Sequence, residues 1–395
     1  MESILRIKKM MPDKTLSLKT VFILFLLVSL IFTSYLVLAN NAFTSSLEPQ
    51  YFDHLRHQRF AFEFLSEGMS IFSTPMKELV PIGNPAYYGW SEIPEFYPMG
   101  IVIFFIPFSI LAFNSIIDPT IINKLTIIIF LLFAHLAIYL YTSTLFNQSY
   151  DKTRQEEHGV TIILIVIFYI YLIIWSLNGQ YEAIPVFFVI LSLIQLKKKN
   201  CGQSVFWYVI AIFFKYQAIF LLPIYLFVAY RLIGTSEDII LKIKNSSKMS
   251  KLLIGVTIGI SFINVYTFLK SLPSLSHIPI ENPFYILSIN LAHILSTDQT
   301  MFILLALITT LFAVLNFISK DFTFGALVCW LFATIVFSKQ FQMWYMFWFF
   351  LPLIICTTST RRLYYSLWLV GVIYCMSWIP NLNYLISLII MAGIC

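Results

Sequence analysis

The sequence predicts an all-α polytopic membrane protein of about twelve spanning helices, with one further apolar segment that turns back without crossing. Three observations predict it. Of 395 residues, 59% are hydrophobic and only 11% charged, whereas a water-facing domain carries about 25% charged residues. The apolar residues fall into thirteen runs, at 21–39, 98–113, 121–146, 160–177, 182–196, 204–214, 216–233, 252–269, 301–318, 323–337, 342–358, 364–378 and 382–395. The basic residues cluster in alternate connections between those runs, as the positive-inside rule requires. A soluble enzyme, a disordered tail and a disulfide-stapled secreted scaffold are excluded. The net charge of +6 marks topology and is no nucleic-acid footprint.

Residues 1–20 form a basic N-terminus, and 21–395 a single transmembrane domain. The 21–39 run is long enough to span, and no small-residue cleavage site follows it, so it reads as the first helix and not as a leader. The 98–113 run is short and interrupted by Pro98 and Pro107. If it turns back, 18 of the 25 Lys and Arg lie on the inner side; if it crosses, only 9 do. The charge rule therefore makes 98–113 re-entrant or interfacial, within an outer loop of 40–120. Both termini then face the cytoplasm. The expected location is a multi-pass integral membrane protein of the plasma membrane, or of the endoplasmic reticulum if the source is eukaryotic.

Under this topology the unusual polar residues gather on the outer or lumenal face. Loop 40–120 holds Asp53, His54, Arg56, His57, Arg59, Glu63 and Glu67, with Phe52, Phe60, Phe64 and Leu65 as an apolar flank. That pattern suits an amphipathic helix in the membrane interface. Asp53 is either a helix cap or a working carboxylate. The corner Asn178-Gly179-Gln180-Tyr181-Glu182 places two amides and an acid between two spans. It is either a polar turn with Gly179 in the tight position or part of a site. Lys215 and Lys339 close apolar runs on the same side, where a lysine can snorkel or hold an anion. Ser338-Lys339-Gln340-Phe341-Gln342-Met343-Trp344-Tyr345 mixes amides, a cation and aromatic rings, and its Trp and Tyr also suit an interfacial belt.

Metal, nucleotide and serine-hydrolase signatures are lacking. The five cysteines make no CxxC and no Cys/His spacing, and read as packing residues. His277 and His293 have no second ligand at metal spacing, and His135 lies deep in a helix. There is no DxD or ExD, so no metal and no cofactor is expected. Walker, GxGxxG and GxSxG motifs are absent.

The order of these motifs resembles the GT-C class of integral-membrane glycosyltransferases, over about 50–360. The matching pieces are Tyr51-Phe52-Asp53 opening the first outer loop, Gly68 some fifteen positions on, and Tyr97-Pro98-Met99-Gly100 opening an interfacial helix. They continue with Gly179-Gln180-Tyr181-Glu182, with Phe214-Lys215-Tyr216-Gln217, and with Gln340-Phe341-Gln342-Met343-Trp344-Tyr345. Met99 stands where the class has a second proline, and His57 where it often has an aromatic residue, which leaves the sugar open. The resemblance implies a GT-C-like bundle with juxtamembrane helices in the first outer loop. It implies a polyprenyl-phosphate-linked sugar as donor, a glycan, lipid or protein as acceptor, and no nucleic acid. It implies Asp53 as the catalytic carboxylate and Lys215 or Lys339 at the donor phosphate. His57, Tyr97, Asn178, Gln180, Glu182, Gln340 and Gln342 fall to the sugar and acceptor. The chemistry suits these types. A carrier phosphate is a good leaving group that needs a cation and no acid, and the attacking hydroxyl needs a base. A secondary transporter, or a flippase or binding subunit for the carrier lipid, remains the alternative.

Overall fold

The computed structural model describes residues 18–39, 53–74, 97–148, 155–233 and 248–275, together with Trp348 and Leu351. Among these residues every regular element is helical. They are α1 Leu18–Ala39, α2 Asp53–Glu67, α3 Met99–Phe113, α4 Pro119–Gln148, α5 Gln155–Leu177, α6 Ala183–Lys197, α7 Cys201–Phe214, α8 Leu222–Ile233 and α9 Lys248–Leu275. Two 3-10 turns, Gly68–Phe72 and Tyr216–Leu221, follow α2 and precede α8.

Seven of the eight apolar runs in the described residues are one helix each, within a few residues of the expected ends. The eighth, 216–233, is not a single helix. It opens as a 3-10 turn, and the α-helix begins only at Leu222. Pro223 has no N–H, and its ring clashes with a carbonyl four residues back, so it is accommodated in a first turn and not in a helix interior. The runs from 301 onward lie outside the described residues. Trp348 and Leu351 are the exceptions, and both are fully buried in the main core.

Local chemistry sets the helix ends. Asp118 caps α4, its carboxylate accepting from the N–H of Thr120 at 2.7 Å, and Pro119 takes the first helical position, where no N–H is needed. α5 ends at Gly179, with φ 75°. The Gly179 N–H donates to Ser176 O and the Gln180 N–H to Trp175 O, the paired bonds of a Schellman end.

Among the described residues three helices are long and apolar enough to cross a membrane: Thr20–Ala39, Pro119–Leu145 and Lys251–Ser271. α6 and α7, expected as spans, have only 15 and 14 residues. At 1.5 Å per residue that is about 22 Å, short of a hydrocarbon core of about 30 Å. α6 is mostly buried inside the bundle.

The short helices leave one end of the bundle stepped. α1 runs antiparallel to α4, because Lys124 Nζ donates to Leu38 O while His135 meets Ser29 further along. α4 and α6 run parallel, with the Phe133 and Phe187 rings 5.4 Å apart. Phe133 lies about ten residues further into its helix than Phe187, so α4 rises roughly 15 Å beyond the start of α6. α2 and α3 fill this step. α3 begins against the end of α7 at Gly100 and Phe213, and leads through residues 114–118 into the start of α4. Both of its ends therefore lie at the same end of the bundle.

Two apolar clusters hold the arrangement. The larger joins α1 with α4–α8, and the smaller joins α2 and α3 to Phe130, Tyr181 and Ile184. In a lipid setting apolar contact alone does not favour one helix neighbour over lipid, so packing and polar bonds between helices carry more of the specificity. Ser192 and Ser204 each donate to the other's backbone carbonyl at 2.8 Å, clasping α6 to α7. Mid-bundle, His135 Nδ1 donates to Leu131 O at 2.7 Å, which leaves Nε2 to accept from Ser29 Oγ at 3.2 Å or Tyr169 OH at 3.4 Å. Because a carbonyl only accepts, the tautomer is assigned by this network. On α2, Leu65 of the expected apolar flank is 51% exposed. Phe60 of that flank is buried against α3 and α4 as expected, together with His57, Gln58 and Ala61.

Candidate functional site

The Schellman end of α5 throws Gln180, Tyr181 and Glu182 across the low side of the step. Glu182 then precedes α6, where its carbonyl accepts from the Val186 N–H at 3.1 Å. Lys215 occupies the opposite corner, in an extended conformation between α7 and the 3-10 turn. That turn is fixed by Tyr208, whose hydroxyl donates to Ala218 O at 2.7 Å. Since α6 and α7 are antiparallel and nearly equal in length, Glu182 and Lys215 meet at the same level.

They form a salt bridge, Lys215 Nζ donating to Glu182 Oε1, and each side chain is only 1% exposed. Two charges so deeply buried lose their hydration, and the loss is offset by each other and by their surroundings. Among the described residues the surroundings are aromatic. Lys215 Nζ lies 4.9 Å from the Tyr181 ring centre and 5.7 Å from that of Tyr97, within cation–π range. His57 stands edge-on to Tyr97 at 4.5 Å and to Tyr181 at 5.2 Å, and stacks on Phe105 at 5.9 Å. The result is a box of rings from α2, α3 and the α5–α6 corner, closed over an ion pair.

The structure brings together His57, Tyr97, Glu182 and Lys215 of the residues expected from sequence, and buries Gln180 in the same corner. Gln180 is 4% exposed, and its Oε1 has no hydrogen-bond partner among the described residues. Asn178 is not part of the group: it is exposed at the turn, contributing its backbone N–H to Ile174 O. Gly179 takes the left-handed position, so the corner is a tight turn and a site wall at once. Asp53 opens α2, the helix that supplies His57, and its side chain lies outside the described atoms. Lys339, Gln340 and Gln342 lie outside the described residues.

Sequence reasoning did not anticipate the pairing of Glu182 with Lys215, nor Tyr181 and Phe105 as walls. The signal for the pair was available, as opposite charges at matching ends of two consecutive short runs. Among the described residues no group of three or more His, Cys, Asp or Glu side chains is placed to hold a metal ion. No family model matches the chain, and no curated protein and no solved structure matches it.

Proposed function

We propose that the chain is an inverting integral-membrane glycosyltransferase, moving mannose or a similar hexose from a polyprenyl-phosphate carrier to an acceptor on the outer or lumenal face. The observation that carries this reading is the buried Lys215, held among rings at the foot of a step that α2 and α3 roof over. An ionisable residue buried in a membrane bundle is expensive and marks function by default. A cation there suits a lipid-borne phosphate, whose charge grows as the C1–O bond breaks. The apolar flanks of α1, α4 and α9 suit a prenyl tail.

In this reading Lys215 holds the carrier phosphate through binding and departure. Asp53, at the start of α2, takes the proton of the attacking hydroxyl. Attack opposite the leaving phosphate inverts the anomeric carbon. Gln180 and Glu182 suit sugar hydroxyls, and Lys339, Gln340 and Gln342 complete the site from the later chain. The test is direct: purified protein, a polyprenyl-phosphate hexose and candidate acceptors, with loss of carrier-linked sugar as the readout. Product that appears with the parent chain and disappears in Asp53→Asn supports the reading; no transfer and no carrier hydrolysis across sugars and acceptors sinks it.

The closed state of the ion pair also favours a second reading, a protein that binds or moves the carrier lipid without chemistry. Carrier binding without turnover is its signature.

A further inference from the structure

We propose that Glu182 is a placeholder anion: in the ligand-free chain its carboxylate occupies the position on Lys215 that a phosphate takes on binding, and the two exchange. This rests on the reading of Lys215 as a phosphate site. Four features lead to it.

The first is burial. Both side chains are 1% exposed, so no water screens them. A phosphate brought to Lys215 would stand beside the Glu182 carboxylate, and in so buried a place like charges repel strongly. The second is the choice of lysine. An ammonium is a compact point charge on a flexible stem, and it changes partner without the fixed fork geometry of a guanidinium. The third is where Glu182 stands. It immediately precedes α6, so a carboxylate released from Lys215 remains beside the positive end of that helix. The fourth is Gln180, two residues away, whose buried Oε1 has no partner among the described residues. An acceptor in that state suits a ligand bearing hydroxyl donors, such as a sugar carried on the same phosphate.

The arrangement keeps Lys215 charged and folded when no carrier is present. It also lowers the apparent affinity for phosphate by the fraction of chains in which Lys215 is disengaged. Removing the competitor should therefore tighten binding, although it removes a group from the site.

The experiment compares binding of polyprenyl phosphate, polyprenol and inorganic phosphate to the full-length protein in detergent. Glu182→Gln is expected to bind polyprenyl phosphate about tenfold or more tightly than the parent chain, with polyprenol binding unchanged. Lys215→Ala is expected to lose the preference for phosphate over polyprenol, and Glu182→Gln is expected to give no gain in that background. A parallel gain for inorganic phosphate supports exchange with any phosphate; a gain confined to the lipid supports exchange with the carrier alone. Glu182→Asp, which keeps the charge but retracts it by one methylene, gives a smaller gain in the same direction and serves if Glu182→Gln fails to fold. Equal or weaker phosphate binding in both variants overturns the exchange while leaving Lys215 as the phosphate site. If the parent chain and all variants fail to distinguish polyprenyl phosphate from polyprenol, the exchange and the proposed function fall together.

Discussion

A side chain of any size at Gly100 would collide with the backbone of Phe213: an ideal Cβ there lies 2.3 Å from the Phe213 carbonyl oxygen and 2.7 Å from its carbonyl carbon. The contact is between the first turn of α3 and the last turn of α7. A backbone carbonyl at a helix end cannot rotate aside as a side chain can. Gly100→Ala should therefore push α3 off α7 and destabilise the protein by about 1–3 kcal/mol, the usual cost of overpacking. Thermal unfolding in detergent measures it. Gly202→Ala, with nothing within 4 Å of its ideal Cβ, is the control.

Asp53 and Lys215 should fail differently. Asp53→Asn should leave carrier binding nearly unchanged and slow single-turnover transfer by roughly 10²–10⁴-fold, the contribution of a general base. Lys215→Ala should weaken binding and slow turnover together, because its charge acts in both the ground and transition states. Lys215→Arg should recover part of the binding. Near-normal turnover in Asp53→Asn moves the base elsewhere, and Glu182 or Glu48, an acid of the same 40–120 loop as Asp53, is then the one to test.

The Ser29–His135–Tyr169 network should matter for α1 above all. Much of the lipid-length stretch of α1 is exposed, so few packing contacts hold it. Tyr169→Phe and Ser29→Ala should each cost about 0.6 kcal/mol and no more than about 1.7, the average and the maximum measured for hydrogen bonds between membrane helices. The check is thermal unfolding combined with protease sensitivity of the α1–α2 connection. No change in either measure assigns the attachment of α1 to Lys124 and Leu38 instead.

Topology can be tested at the two ends of α6. Asn178 and Asn200 are both exposed and flank that helix. In a cysteine-free background, Asn178→Cys should label from outside and Asn200→Cys only after permeabilisation. Labelling of Asn200→Cys from outside would mean that α3 crosses, and the outer site would move to the inner face.

The absence of a DxD or ExD motif in the chain leads to a fifth expectation. Chelation should leave transfer intact. Strong inhibition by EDTA, rescued by Mn²⁺ or Mg²⁺, would show that the donor phosphate is held through an ion.

Much of the helical layout was legible because the apolar runs are sharply bounded by polar residues. The 3-10 turn before α8 was legible in principle from Pro223, but hydropathy masks it, since Tyr216 to Leu221 are nearly as apolar as the helix that follows. The step between α4 and α6 was not legible. Run length sets helix length, while the offset between neighbours depends on which rings meet, here Phe133 with Phe187 and Phe188. The site was half legible. Gln180, Glu182 and Lys215 stood out as polar residues at run ends, yet each alone is compatible with snorkelling. Only the antiparallel geometry of α6 and α7 turns two snorkelling candidates into a buried pair. The apolar face of α2 was misjudged at Leu65, which is exposed, while the polar His57 and Gln58 share the buried face with Phe60.

Glu182 and Lys215 are 33 residues apart, and all of the intervening chain belongs to a single helical hairpin. During synthesis the two charges therefore leave the ribosome close together. An unpaired charge at the centre of an inserting helix raises the cost of entry by roughly 2.5–3.5 kcal/mol on translocon scales, and one at a helix end, as here, by less. A hairpin that enters with its acid and its ammonium already joined is neutral at that end. α6 and α7 are then one unit of biogenesis, and a nascent chain truncated between them should stall with α6 only partly inserted.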